Sequence, residues 1–179
     1  MMQTAPEAKF KITGRAIVYA YPGTIIPTWH EHCLIGGSLF VFPSVHYAVC
    51  KENGWIRDES DNLVVNTGLA QIILLLNGGS SVYFAFCGVG SGSSTVLPGD
   101  TDLTTPIMRL AVTSIGQSAN VGTWSTFFPI GIGTGTWSEA GLFSLISAGI
   151  MLCKKLIGPF SKTSGITATV SWTITVTAV

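Results

Sequence analysis

Between residues 166 and 177 apolar and hydroxyl side chains alternate without a break. Ile166, Ala168, Val170, Trp172, Ile174 and Val176 fall on one side, and Thr167, Thr169, Ser171, Thr173, Thr175 and Thr177 on the other. Successive side chains of a strand point to opposite faces, so the pattern predicts a strand with one face in a core. A slip of one residue would turn the whole apolar set to water, and burial therefore fixes the register. At about 3.4 Å per residue the segment would span roughly 40 Å, longer than most strands, which predicts a bend, a bulge or an end that projects from the domain. A chain organised around such a strand packs sheet on sheet.

The rest of the chain repeats the theme in shorter pieces. Residues 10–21 alternate loosely and are closed by Pro22 and Gly23, predicting a first strand and a turn. Further strands are predicted over 82–89, 107–112, 123–130, 136–143 and 150–157, with 123–130 and 136–143 joined across Gly131, Gly133 and Gly135. Residues 88–102 read as a Gly/Ser/Thr/Pro loop. The charged stretch 51–61 carries Lys51, Glu52, Arg57, Asp58, Glu59 and Asp61 and reads as a solvated segment. Asn66 and Thr67 are candidate N-caps for a helix over about 67–77, which Asn77-Gly78-Gly79 would stop. Ile72, Ile73, Leu74, Leu75 and Leu76 make that helix apolar nearly all round, which predicts a buried one. The count is about eight to ten short strands and one helix, with turn signals roughly every ten residues: an all-β, sandwich or jelly-roll-like domain.

Its 179 residues suffice for one domain with a real core, so 1–179 is read as a single unit. Only 10% of residues are charged, against about 25% in typical soluble domains. Nine basic and nine acidic residues balance to zero net charge, so no basic stripe supports nucleic-acid binding, and nothing favours an acidic substrate. A surface this poor in charge tends to self-associate, which predicts partners over much of it. No secretory leader pattern opens the chain, and its apolar runs fall far short of the ~18 residues that span a bilayer, so a soluble chain is expected. Cys33, Cys50, Cys87 and Cys153 form no CxxC pair and read as small buried hydrophobes kept reduced in a cytoplasm.

The segment 24–50 is unusually apolar. Ile25, Ile26, Trp29, Leu34, Ile35, Leu39, Phe40, Val41, Phe42, Val45, Tyr47 and Val49 crowd it, and Pro27, Gly36, Gly37 and Pro43 break it into short pieces. Core packing would explain it; so would a surface buried against another subunit, with Trp29, Phe40, Phe42 and Tyr47 as contact residues.

No catalytic constellation emerges. His30, Glu31, His32 and Cys33, with His46 and Cys50 further on, are metal-capable but lack paired zinc spacing. Gly88-Val89-Gly90-Ser91-Gly92 follows a strand, yet the spacing of a dinucleotide loop fails and no Lys-Ser or Lys-Thr closes a P-loop. Asp100 and Asp102 follow Pro98-Gly99 and read as turn residues before calcium ligands. Glu139 stands in an apolar context, where a lone carboxylate is more often a hydrogen-bonded structural group than a general acid. No nucleophile motif is present. The expectation is a protein without enzymatic activity, cofactor or metal.

Several stretches, in this order, resemble a family of small tailed-phage virion proteins. They are Asn62-Leu63-Val64-Val65-Asn66-Thr67-Gly68, Gly88-Val89-Gly90-Ser91-Gly92, Asp100-Thr101-Asp102-Leu103, Arg109, Ser138-Glu139-Ala140-Gly141-Leu142-Phe143, Met151-Leu152-Cys153-Lys154, Pro159 with Lys162, and Val170-Ser171-Trp172-Thr173-Ile174-Thr175-Val176. The match runs from about residue 55 to the end, with residues 10–18 similar to the opening strand of longer members. The resemblance implies a non-enzymatic structural component of a bacteriophage virion, made in the host cytoplasm. Its expected partners are other capsid or tail proteins and further copies of itself, without nucleic acid or membrane. Two places on the particle stay open: a capsid cement or decoration subunit, or a tail or fibre-base component serving host attachment. The chain departs from the family over 24–50, where members carry a shorter, more polar hairpin, which marks this insertion as a candidate docking surface.

Overall fold

β11 (Ile166–Ala178) lies between two antiparallel neighbours. On one side it pairs along its whole length with β1 (Phe10–Pro22), from Phe10 opposite Ala178 to Pro22 opposite Ile166. On the other it pairs with β8 (Val121–Phe128). Ala168, Val170, Trp172 and Ile174 are buried as the alternation requires, whereas Val176, near the strand's end, is 43% exposed. The hydroxyl side is not uniformly wet: Thr167, Thr169 and Tyr19, the residue opposite Thr169, are buried too.

In this computed structural model residues 10–22, 34–35, 38–39 and 56–178 are described. The remaining elements are the short pair β2 (Leu34–Ile35) and β3 (Ser38–Leu39), then β4 (Ile56–Val64), the helix α1 (Asn66–Leu76), β5 (Phe86–Gly90), β6 (Pro106–Ala111), β7 (Ser114–Ser118), β9 (Gly135–Phe143) and β10 (Met151–Lys162). Nine strands form one antiparallel sheet in the order β6-β5-β9-β10-β4-β1-β11-β8-β7. The two edge strands of that order, β6 and β7, are neighbours in sequence, separated only by Val112 and Thr113. A sheet whose opposite edges are joined by two residues has to curl back on itself. Val112 N–H donates to Ala85 O and Thr113 N–H to Ser125 O, tying this corner to both margins. The result is an all-β, half-barrel-like sheet.

The concave side is filled from both halves. Phe128 on β8 and Trp137 on β9 meet edge to face at 4.8 Å, and Trp172 Nε1 on β11 points at Cys87 Sγ on β5 at 3.3 Å. β4 joins the halves, pairing with β1 through most of its length and with β10 only at Leu63 and Val64. Where it peels away from β10, the buried Lys155 amine donates to Ala16 O and Ser60 O and pairs with Asp58.

Several expectations are corrected. The charged stretch does not lie in solvent throughout: residues 56–61 form the first part of an interior strand. Asp58 earns its place there through Lys155 and the Gly158 N–H, and Glu59 pairs with Arg15. β7 carries no apolar alternation and is exposed along its length, so no hydrophobic signal announces it. The helix is present over nearly the expected residues, but no side-chain oxygen caps its start, where the N-cap is Val65. Its end follows expectation: Gly78 has φ +74°, Gly79 N–H donates to Leu74 O and Gly78 N–H to Leu75 O, a Schellman stop. Nor is the helix buried. Only Gly68 and Gln71 are inaccessible, while Leu69, Ile73, Leu74 and Leu76 are exposed. Trp29, Phe40, Phe42 and Tyr47, and with them His30, Glu31, His32, Cys33, His46 and Cys50, lie outside the described residues.

Candidate docking surface

The motif residues that sequence reasoning weighed separately meet on the outer side of β9 and β10. Glu139, wholly buried, accepts hydrogen bonds from three backbone N–H groups: Gly92 at 3.1 Å and Thr105 at 2.7 Å on Oε1, and Thr104 at 3.0 Å on Oε2. Lys154, on the adjacent strand, lies 3.2 Å from Glu139 Oε2 and 3.2 Å from Asp100 Oδ2, and donates to Thr104 Oγ1 and Asp102 O. Burial pushes the Glu139 carboxyl up, but the Thr104 and Thr105 N–H groups and Lys154 outweigh it and hold its pKa below the usual value. The glycine run thus cradles an anion, and that anion is the chain's own side chain: a Cβ on Gly92 would stand 2.4 Å from Glu139 Oε1, and one on Gly90 2.7 Å from it. Asp102, the other half of the suspected cation pair, instead binds Arg109, whose guanidinium lies 3.6 Å over the Phe143 ring and donates to Ala148 O at 2.6 Å. Among the described residues no cluster of His, Cys, Asp and Glu suits a metal ion.

This lock secures the loop 91–105, and the loop in turn receives the helix. Asn66 N–H at the start of α1 donates to Pro98 O, Val65 N–H to Leu152 O, and Thr67 Oγ1 to Met151 O. Leu152 sits in a bulge of β10, where Met151 opposes Phe143 and Cys153 opposes Leu142. Gly68 lets the helix lie directly on that backbone, since a Cβ there would come within 2.3 Å of Leu152 O. Gln71 then ties the helix to the chain leaving it, donating to Ser80 Oγ at 2.8 Å and Val82 O at 2.7 Å.

A helix seated through Gly68 and Gln71 turns Leu69, Ile73 and Leu76, spaced i, i+4, i+7, away from the sheet. They are 37%, 55% and 76% exposed, and Val82 and Tyr83 beyond the helix are 42% and 63% exposed. No Asp, Glu, Lys or Arg occurs between Asn62 and Asp100. The surface is therefore apolar, uncharged and rigidly mounted, the properties of a docking face. Sequence reasoning missed it because an all-round apolar helix looks like core; the signal that could have found it is Gly68 and Gln71 on one side, marking the seated face. The expected docking insertion is attached elsewhere: residues 23–55 join β1 at Pro22 to β4 at Ile56, whereas α1 follows the other end of β4.

Among the described residues no helix is long and apolar enough to cross a membrane. No family model, curated protein or solved structure matches the chain.

Proposed function

We propose that the chain is a non-enzymatic structural subunit of a bacteriophage particle, and specifically a capsid cement or decoration protein. One observation carries the reading: the residues of the phage-like motifs that could do chemistry, Glu139, Lys154, Asp100, Asp102 and Arg109, are engaged with one another and with backbone, while an uncharged apolar face is left to solvent. Such a division suits a part that binds other proteins rather than one that turns over a substrate. The curled sheet is read as a variant of the sandwich or jelly-roll architecture, its two halves facing each other across Trp137 and Trp172. Particle contacts are assigned to the 24–50 insertion through Trp29, Phe40, Phe42 and Tyr47.

The test is made on purified virions. Hundreds of copies per particle on gel densitometry support the capsid assignment. A few copies, confined to detached tails, overturn it in favour of a tail or fibre-base component that serves host attachment. Absence from virions rejects the structural reading altogether. Trp29→Ala or Phe42→Ala should weaken particle binding by about 2 kcal/mol or more if either is a hot spot, with the isolated fold intact.

A further inference from the structure

We infer that the α1 end of the sheet is the contact with a second copy of this chain, formed across a two-fold axis. The inference goes beyond the structural-subunit reading and stands or falls separately from it.

Three observations select this occupant. The first is charge. With no ionisable Asp, Glu, Lys or Arg from Asn62 to Gly99, the face offers a charged partner nothing to pair with and would strand that partner's charges in an apolar contact. Its own copy brings no such charge. The second is area. From their fractional exposure, Leu69, Ile73, Leu74, Leu76, Val82 and Tyr83 offer roughly 600 Å² per copy, or about 1,200 Å² in a pair, which reaches the lower bound of a specific interface. The third is shape and stiffness. A stripe at i, i+4 and i+7 on a straight helix is self-complementary when two helices cross about a two-fold axis, as an isologous contact requires. The stripe's backbone is held by Gly68 on Leu152, Thr67 on Met151 and Gln71 on Val82, so little backbone freedom remains to be lost on association.

Sedimentation velocity of the full chain, from low to high micromolar concentration, tests it. The wild type should sediment as a dimer. The double variant Ile73→Asp, Leu76→Asp should sediment as a monomer at every concentration, with an unchanged far-ultraviolet circular dichroism spectrum because both side chains are exposed. A control change on the opposite margin, Ile115→Asp on exposed β7, should leave the dimer intact. A monomeric wild type overturns the inference, as does a double variant that dimerises as tightly as the wild type. A monomeric wild type whose double variant is lost from particles would assign the face to another particle protein, which overturns it as well. Should the double variant not fold, the wild type alone decides by hydrogen exchange on dilution: protection must fall in α1 and at residues 82–83, and a fall confined to other regions overturns the inference. The sedimentation and hydrogen-exchange outcomes do not depend on whether the chain is found in virions.

Discussion

Lys154 Nζ lies 3.2 Å from Glu139 Oε2, and the two side chains are 2% and 0% exposed. Removing one member of a buried pair strands the other, which commonly costs about 3–5 kcal/mol. Glu139→Gln should cost about 3 kcal/mol or more, because its new NH₂ would face either the Thr104 or the Thr105 and Gly92 N–H groups as donor against donor. Lys154→Met should cost a comparable amount, and the double variant less than the two together; urea unfolding measures all three. The pH dependence has a definite sign. The folded carboxyl titrates below its ordinary value of 4.5, so its contribution is full above that value and is lost as the pH falls through the folded pKa. The wild type should therefore lose stability in acid more steeply than Glu139→Gln, and equal slopes would show that Glu139 is not the group responsible.

Gly68 supplies a test in which the usual sign reverses. In an exposed helix Gly→Ala gains up to about 1 kcal/mol. Here the added carbon would meet Leu152 backbone at 2.3 Å and 2.7 Å, and neither partner is a flexible side chain that can swing aside. Gly68→Ala should lower the melting temperature and expose Met151 and Leu152 to hydrogen exchange. Gly99→Ala, with nothing within 4 Å of its added carbon, should change stability by less than about 0.5 kcal/mol.

The same contrasts explain how much could be read in advance. The register of β11 was legible because period-two alternation and burial agree along most of its length, from Ala168 to Ile174. The helix was legible from Asn77-Gly78-Gly79, a local chemistry that needs no tertiary context. Its exposure was not, since Leu69, Ile73 and Leu76 carry no mark that tells a docking face from a core face. β4 escaped notice because Asp58, Glu59 and Asp61 argue for water, and only the distant Lys155 and Arg15 make a strand of them. Glu139 was legible as a structural carboxylate, but its partners come from Gly92, Thr104, Thr105 and Lys154, which no local spacing connects. The misses at β4 and around Glu139 are long-range pairings, invisible to a pattern confined to one segment.

Cys87 and Cys153 flank Leu142 on adjacent strands and are free and buried. Burial pushes the Cys87 thiol up to about 12, against a weaker opposing hydrogen bond from Trp172, and burial raises Cys153 as well. Thiolate is the reactive form, so both should resist a maleimide at neutral pH in the native state and label fully in denaturant. Mass spectrometry of peptides separates them from the other cysteines. Rapid native labelling of either would mean that the sheet opens locally.

Lys162 is fully buried and donates to Pro129 O at 2.9 Å and Ile166 O at 3.0 Å. Desolvation lowers its pKa below the ordinary 10.5, so between the folded and ordinary values the unfolded chain binds more protons than the folded one. Lys162 therefore contributes a rise of stability with pH across that interval, opposed above the ordinary thiol value of 9.0 by the buried Cys87 and Cys153, whose raised pKa values act with the opposite sign. Lys155 shifts in the same direction, burial outweighing its attraction to Asp58 and Glu59, and adds to the rise. Lys162→Met should remove the Lys162 part of the slope and leave those of Lys155 and the thiols. Melting temperatures recorded from neutral pH to about 10 decide it, and an undiminished slope in the variant would assign the effect elsewhere.

Leu74 and Leu142 differ in chemistry by nothing and in setting by almost everything. Leu142, at 0% exposure, lies between Cys87 and Cys153 on the concave side, in the cluster that holds Trp137 and Trp172. Leu74, on α1, is 42% exposed. Truncation of a buried leucine removes its transfer free energy and leaves a cavity, together about 2–5 kcal/mol, whereas a half-exposed leucine leaves no enclosed void. Leu142→Ala should therefore cost about 3 kcal/mol or more and Leu74→Ala under about 1 kcal/mol when both are unfolded in urea at a concentration where the chain is monomeric. At higher concentration the Leu74 change should cost more, because the lost side chain belongs to the face that pairs with a second copy and association stabilises only the folded form. A Leu74→Ala cost as large as that of Leu142→Ala in the dilute monomer would mean that α1 is core after all, and the apolar stripe beside it would then need no partner.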